Sequence, residues 1–88
     1  MKMIIAIVGD DDSDHVIKSL TSASYRVTTI GSTGGFLRKG LSTMLIGVED
    51  EALEKALEVI RSCFPAQPDE IEKRCTIFVI NVNQAHHY

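Results

Sequence analysis

The sequence is poor in several features that would mark a particular class of protein. It has no tryptophan, only two cysteines and fewer basic than acidic residues, which gives a formal net charge of −3 at pH 7. A nucleic-acid or acidic-membrane surface needs an excess of Lys and Arg, so both kinds of partner are disfavoured. No apolar run approaches the ~20 residues of a membrane-spanning helix. We therefore expect a cytoplasmic protein that binds neither nucleic acid nor membrane.

The cysteines and histidines do not form a recognisable reactive site. Cys63 and Cys75 are too far apart for a C-x-x-C redox or zinc motif, and without a secretory context we expect two reduced, fairly buried thiols. No histidine is tied by its spacing to a Ser or Thr nucleophile. His86 and His87 are adjacent, so on an extended segment they point in opposite directions and a shared metal ion is disfavoured. The sequence thus predicts no enzyme, no metal site and no cofactor.

Hydrophobic periodicity predicts one domain, residues 1–88, with the order strand, helix, strand, strand, helix, strand. The predicted strands are 2–8, 25–30, 42–48 and 74–82, and the predicted connector before the last strand is 64–73. Polar residues mark the predicted helix starts, which are Asp11, Asp12 or Ser13 for the first helix and Glu49 or Asp50 for the second. The first helix should end near Ser24. This order fits an α+β, ferredoxin-like sandwich, in which a four-stranded antiparallel sheet carries both helices on one face.

The first and last predicted strands are apolar on both faces. In the first, one face has Met3, Ile5 and Ile7, and the other has Ile4, Ala6 and Val8. Two helices cover only one face of a sheet, and a strand with two apolar faces needs cover on both. A monomer would expose an apolar patch of the size that usually marks an interface. We therefore predict a homo-oligomer whose subunits pack sheet against sheet.

The connection between the second and third strands, residues 32–40 (STGGFLRKG), carries more chemistry than a turn requires. Glycine-rich phosphate loops need a helix directly after them, whereas a strand is predicted here. Gly34 and Gly35 would still let the backbone approach a ligand, while Thr33 and the loop amides donate to anionic oxygens. Such a segment suits a nucleotide.

Hydrophobic and cationic residues add to the same region. Phe36 and Leu37 are placed to sandwich a base, and Arg26 and Thr28 on the adjoining strand add a cation and a hydroxyl. In the alternative interpretation, the segment is a flexible turn whose Phe36 and Leu37 pack against a neighbouring subunit. The residues by themselves leave both interpretations open.

Five segments of the sequence together resemble one known family. They are MKMIIAIV, YRVT, TTIGSTGGFLRKG, STMLIGV and TIFVINVNQAHHY, and they are similar to the PII-like cyclic di-AMP receptors, the DarA or PstA family. The resemblance implies a ferredoxin-like homotrimer that binds the nucleotide second messenger cyclic di-AMP in clefts between subunits, without catalysis. It also implies that ligand binding reorders loops that signal to a protein partner.

The resemblance further implies which residues bind the ligand. Carried over position by position, they are Arg26, Thr28, Thr33, Gly34, Gly35, Phe36, Leu37, Gly47, Phe78 and His87. By the same resemblance, Phe36, Leu37 and Phe78 would enclose adenine, and the amides of the paired glycines would approach phosphate.

The chain departs from the family pattern in three places. Leu41 stands where the family typically has an asparagine, and its side chain offers no hydrogen bond to a base or phosphate. His87 stands where the family has a glutamine, and the connector 64–73 is short where the family's is long and glycine-rich. These departures keep two alternatives open. One is a PII-like trimer that binds ATP, ADP or another adenine nucleotide, and the other is a metal-responsive or structural trimer without a nucleotide.

Overall fold

Residues 1–32, 40–64 and 75–83 are described by the structure, a computed structural model, and they form four strands and two helices. In chain order these are β1 (Lys2–Gly9), α1 (Asp10–Ser22), β2 (Val27–Ser32), β3 (Leu41–Val48), α2 (Leu53–Ser62) and β4 (Cys75–Asn81), with a short 3₁₀ turn at Asp50–Ala52 before α2. The predicted order of elements is confirmed.

The four strands form one sheet in the order β2-β3-β1-β4. Every neighbouring pair is antiparallel. Helix α1 connects β1 to β2 with β3 lying between them, and α2 precedes β4, which lies on the far side of β1. This split arrangement is the ferredoxin-like α+β fold, as predicted, and it is consistent with the PII-like form of that fold. It places β2 and β4 at the two edges of the sheet.

One face of the sheet and the two helices enclose the core. The alternating residues of the central strands supply one side of it, and helix residues at helical spacing supply the other. Fully buried members are Ile4, Ala6 and Val8 of β1, Met44 and Ile46 of β3, Val16 and Leu20 of α1, and Ala56 and Ile60 of α2. Each large aliphatic side chain buried in this way contributes roughly 1.5–3 kcal/mol relative to exposure.

Phe64 also belongs to the core, with only 2% of its surface exposed. It follows α2 directly, at the start of the predicted connector 64–73, but its burial in the core was not predicted. After α2 ends, the amides of Cys63 and Phe64 donate to the carbonyls of Ile60 and Arg61 at 3.1 and 3.0 Å. This tighter turn continues the helical path, so Phe64 follows Ile60 onto the core side. The rest of the predicted connector lies outside the described residues.

The start of α1 differs from the prediction. Gly9 is the N-cap residue, and no side chain caps the helix. Asp10, Asp11 and Asp12 all lie in the first turn, where their charges still complement the helix dipole. The predicted cap fails because the N-cap position lies at Gly9, two residues before the earliest candidate, Asp11. A tertiary contact of Asp10 with β3, described below, accompanies this earlier start.

The end of α1 and the start of β2 also differ. The helix ends at Ser22, and Ser24 adopts a positive φ of 71°. The amide of Tyr25 then donates back to the carbonyl of Leu20 at 2.9 Å, and Tyr25 packs against the core. Because Tyr25 is used to close the helix, β2 begins at Val27, two residues later than predicted.

Candidate functional site

The sheet face opposite the helices, called the open face below, is apolar. Residues that alternate with the buried ones occupy it: Met3, Ile5 and Ile7 of β1, Leu41 and Leu45 of β3, and Phe78 and Ile80 of β4. Leu41, Phe78 and Ile80 expose 47%, 53% and 47% of their surface. An apolar surface of this kind typically marks an interface.

Two predicted ligand residues, Thr28 and Phe78, lie at opposite ends of one row across the open face. Thr28 pairs with Leu45, Leu45 pairs with Ile5, and Ile5 pairs with Phe78. Neighbouring strands lie about 4.8 Å apart, so these two residues are separated by about 14 Å. One chain therefore keeps Thr28 and Phe78 apart, and a single base that contacts both would need a second copy of the chain.

The other predicted ligand residues that the structure describes lie on the β2 side of the sheet. Arg26 is exposed and directly precedes β2. Gly47 lies on the open face of β3, opposite Met3. A Cβ atom added to Gly47 would come within 2.9 Å of the Met1 Cε atom, so a larger residue there would displace a flexible side chain. The structure thus groups Arg26, Thr28 and Gly47 in one half of the sheet.

The remaining predicted ligand residues are Thr33, Gly34, Gly35, Phe36, Leu37 and His87. They lie outside the described residues, and so does His86. Their roles stay predictions. Five of them connect the end of β2 at Ser32 to the start of β3 at Leu41.

A β-bulge precedes this connection. The pairing of β2 with β3 shifts between Thr29 and Gly31, which leaves Ile30 as the extra residue, 62% exposed. A bulge bends its strand and redirects the side chains beyond it. The bulge was not predicted from the sequence, although an isolated glycine within a strand pattern, here Gly31, is a known signal for one. The strand therefore bends just before the predicted binding segment.

A contact between α1 and the beginning of β3 was likewise not predicted from the sequence. The Ser42 hydroxyl donates to Oδ1 of Asp10 at 2.5 Å, and the Asp10 amide donates to the Gly40 carbonyl at 3.1 Å. The available signal was a serine at position 42, where the core-facing pattern continues with Met44 and Ile46. This contact ties down the residues that follow the predicted binding segment.

The two thiols are unpaired, as predicted. Burial raises the pKa of the Cys75 thiol to about 11, and the nearby Asp12 and Cys63 groups add to this effect. Cys75 is therefore protonated at neutral pH and is a poor nucleophile or metal ligand. The Cys63 thiol is partly exposed and donates to the carbonyl of Val59 at 3.4 Å. Within residues 1–32, 40–64 and 75–83, no cluster of three or more His, Cys, Asp or Glu side chains could hold a metal ion.

Polar contacts join the strand ends that lie at the opposite end of the sheet from the predicted binding segment. The Met1 ammonium lies 3.0 Å from the Asp50 carboxylate, and hydrogen bonding and charge from this ammonium lower the pKa of Asp50. The Lys2 ammonium donates to the Asn81 side chain, and the Val82 amide donates to the Met1 carbonyl at 3.0 Å. Such exposed pairs contribute little to stability.

Two surface grooves lie on the helix side of the molecule. One, of about 530 Å³, is lined by residues that include Tyr25, Lys55 and Glu58, and the other, of about 380 Å³, by residues that include His15 and Lys18. Neither groove is lined by a predicted ligand residue. In the part of the chain that the structure describes, no helix is long and apolar enough to cross a membrane.

Comparison with known proteins supports the resemblance seen in the sequence. The model of a family described as cyclic-di-AMP receptor matches residues 1–67. This range includes every predicted ligand residue except Phe78 and His87. The predicted resemblance is thereby confirmed over about three quarters of the chain. The matched range ends before β4 and does not include it.

A solved structure extends the likeness beyond residue 67. It is the crystal structure of a functionally unknown protein from Pediococcus pentosaceus, whose sequence is 28% identical to this chain. The two structures match with a TM-score of 0.77, and the match covers 99% of this chain and 96% of that chain. Because each chain covers nearly all of the other, the two have nearly the same length. The likeness therefore includes β4, and the short connection between α2 and β4 is compatible with a similar fold in another protein.

Proposed function

Because this chain belongs to the cyclic-di-AMP receptor family, we propose that it is a non-enzymatic signalling protein that binds cyclic di-AMP. The family match carries this proposal, since the matched residues 1–67 include the segment 33–37 and both Arg26 and Thr28. In this proposal residues 1–88 form a single PII-like domain, which assembles as a homotrimer. Its ligand-bound form would be recognised by a protein partner.

The separation of the predicted ligand residues supports a site between subunits. Thr28 lies on one edge strand and Phe78 on the other, so the β2 edge of one copy must approach the β4 edge of the next to bring them together. A contact between two different edges is head-to-tail, and such contacts form a ring when the rotation closes. The resemblance gives the number of subunits as three.

The described residues offer suitable chemistry for a cyclic dinucleotide. Phe78 presents a half-exposed aromatic ring on which adenine can stack. Arg26 and Thr28 are both exposed and supply a guanidinium and a hydroxyl. Because the net charge of the chain is −3, attraction of phosphate depends on local cations such as Arg26 rather than on the overall field.

Calorimetric titration of the purified protein tests the ligand. The panel contains cyclic di-AMP, cyclic di-GMP, ATP, ADP and divalent metal ions. We expect heat and a raised melting temperature with cyclic di-AMP and a much weaker response to cyclic di-GMP. Leu41, which is 47% exposed on the open face and cannot form side-chain hydrogen bonds, favours ATP or ADP as the second candidate. A response to those nucleotides but not to cyclic di-AMP would transfer the proposal to them, and silence from all nucleotides would refute both.

Adjacent residue pairs provide matched variants for the site. Thr28→Ala should weaken cyclic di-AMP binding about tenfold, as expected when a bound hydrogen-bonding group is removed. Thr29→Ala changes the same residue type on the opposite face of β2 and should bind normally. Phe78→Ala should weaken binding in the same way, with Val79→Ala as its control. Equal losses in test and control variants would contradict the assigned site.

A mixing experiment tests whether the site spans two subunits. Thr28→Ala and Phe78→Ala proteins are each expected to bind weakly, and they are mixed and allowed to exchange subunits. If the two residues come from different subunits, roughly one cleft in four regains both side chains by random assortment. If they come from one subunit, no mixture recovers tight binding. Light scattering on the wild type gives the subunit number, and a monomer would refute the assembly.

A further inference from the structure

Asp10 holds the beginning of β3 at two points, one on each side of Leu41. The Asp10 amide donates to the Gly40 carbonyl at 3.1 Å, and the Asp10 carboxylate accepts from the Ser42 hydroxyl at 2.5 Å. Gly9, the preceding residue, pairs with Leu41 in the sheet. Gly40 and the first two residues of β3 are thus held by two consecutive residues at the junction of β1 and α1.

The bond to Ser42 is made on the core side of the sheet. Ser42 is 6% exposed and occupies the same face as the fully buried Met44 and Ile46. A buried hydroxyl is destabilising unless it is hydrogen-bonded. Here its acceptor is a carboxylate, and a separation of 2.5 Å is typical of a strong hydroxyl–carboxylate bond. Asp10 therefore provides the buried Ser42 hydroxyl with an acceptor, which the apolar side chains of this face cannot provide.

This bond agrees with the direction in which Leu41 points in the registered pairing of β1 with β3. Side chains alternate along a strand, so fixing Ser42 toward the core turns Leu41 toward the open face, where it is 47% exposed. A register slip of one residue would exchange the two positions. It would also leave the Asp10 carboxylate without the Ser42 hydroxyl, so the contact selects one register at the point where β3 begins.

We propose that Asp10 is a positioning residue for ligand binding, which acts by fixing the register of β3 through Gly40 and Ser42. The proposal rests on the proposed function, because the residues assigned to the ligand connect β2 to this end of β3. Asp10 acts from the core side, whereas Leu41, Thr28 and Phe78 lie on the open face. Its effect on the ligand is therefore transmitted through the backbone of β3.

Hydrogen exchange of the free protein tests the structural half of the proposal. In Asp10→Ala and Ser42→Ala, the amides of residues 41–43 should exchange at least about tenfold faster than in the wild type, because opening of the strand end becomes easier. Asp10→Asn retains the acceptor oxygen and should restore slow exchange. Asp14→Ala removes an exposed carboxylate from the same helix and should exchange like the wild type. Unchanged exchange in both Asp10→Ala and Ser42→Ala would overturn the proposal.

Titration with cyclic di-AMP tests the functional half. Asp10→Ala and Ser42→Ala should each bind about tenfold more weakly, and the double variant should bind no more weakly than either single variant, since both remove the same bond. Asp10→Asn should bind within about threefold of the wild type. Wild-type affinity in both alanine variants, or fully additive losses in the double variant, would overturn the proposal.

The two proposals fail in different ways. If the wild-type protein binds no nucleotide, the proposed function is refuted, and the exchange measurements alone then decide whether Asp10 fixes the start of β3. Melting temperatures of all variants are recorded without ligand. If Asp10→Ala is too unstable to titrate, Ser42→Ala removes the same side-chain bond and decides the question.

Discussion

The two faces of the sheet contain similar residues in different surroundings. Ile4 and Ile5 are neighbours in β1, yet Ile4 is fully buried beneath the helices while Ile5 lies on the open face and pairs with Phe78. An antiparallel sheet that faces water usually has one polar face. Here the second face carries Met3, Ile5, Ile7 and Phe78 and is covered by no helix of the described residues, which supports the proposal that copies of the chain associate through it.

The largest expected difference between the faces is between two phenylalanines. Phe64 is 2% exposed in the core, and Phe78 is 53% exposed on the open face. Phe64→Ala should therefore lower the free energy of unfolding by about 3–5 kcal/mol, whereas Phe78→Ala should lower it by less than about 1 kcal/mol. Denaturant titration at low protein concentration measures both. Equal losses would show that the open face is packed even within a single chain.

A smaller difference is expected between Ile4→Ala and Ile5→Ala. The first removes a fully buried side chain from the core and should cost about 2–4 kcal/mol at any protein concentration. The second removes a partly buried side chain from the open face. Its cost should grow with protein concentration, because the rest of its burial occurs only when copies associate. A concentration-independent loss for Ile5→Ala would contradict burial of the open face between copies.

The sequence predicted the order of elements because hydrophobic periodicity reports which face of each element is buried. It predicted several ends wrongly, because tertiary contacts decide them. Tyr25 reads as a strand residue, but in the structure its amide closes α1. Phe64 follows α2 as predicted, but the turn after the helix carries its side chain into the core, which a connector position does not predict. Neither contact leaves a local pattern that a single sequence displays.

The candidate site was predictable only in part for a related reason. The resemblance identified Thr28 and Phe78, and the family match covers the first of them. Their positions at opposite edges of the sheet became clear only from the strand order. The role of Asp10 was obscured because acidic residues at a helix start already have a sufficient explanation in the helix dipole. Its partner Ser42 lies 32 residues later, beyond the reach of any local pattern.

The smallest expected effect is a difference in thiol reactivity between the two cysteines. It compares a residue on the core face of the sheet with one at the border of the core. Cys75 is buried and pairs with Val8 on the helix side of the sheet, whereas Cys63 is partly exposed at the end of α2. At pH 8 a thiol reagent should modify Cys63 and leave Cys75 unmodified until the protein unfolds. Cys63→Ala and Cys75→Ala assign the reactive thiol. Equal rates for the two thiols would contradict the burial of Cys75.

The same thiol predicts a loss of stability at alkaline pH. The pKa of Cys75 is about 11 in the folded protein, above the ordinary value of 9.0, so the folded state holds this proton more tightly than the unfolded state. The resulting stabilisation is complete below about pH 9 and is lost as the pH rises toward 11. It amounts to no more than about 2 kcal/mol, since one pKa unit corresponds to about 1.4 kcal/mol and partial solvation reduces the effect.

Cys75→Ala should remove this pH dependence and Cys63→Ala should keep it. Both variants keep every other ionisable group of the chain, so the difference between their unfolding curves reports on the two cysteines. A difference that is flat from pH 9 to 11 would mean that water reaches the core face at the start of β4.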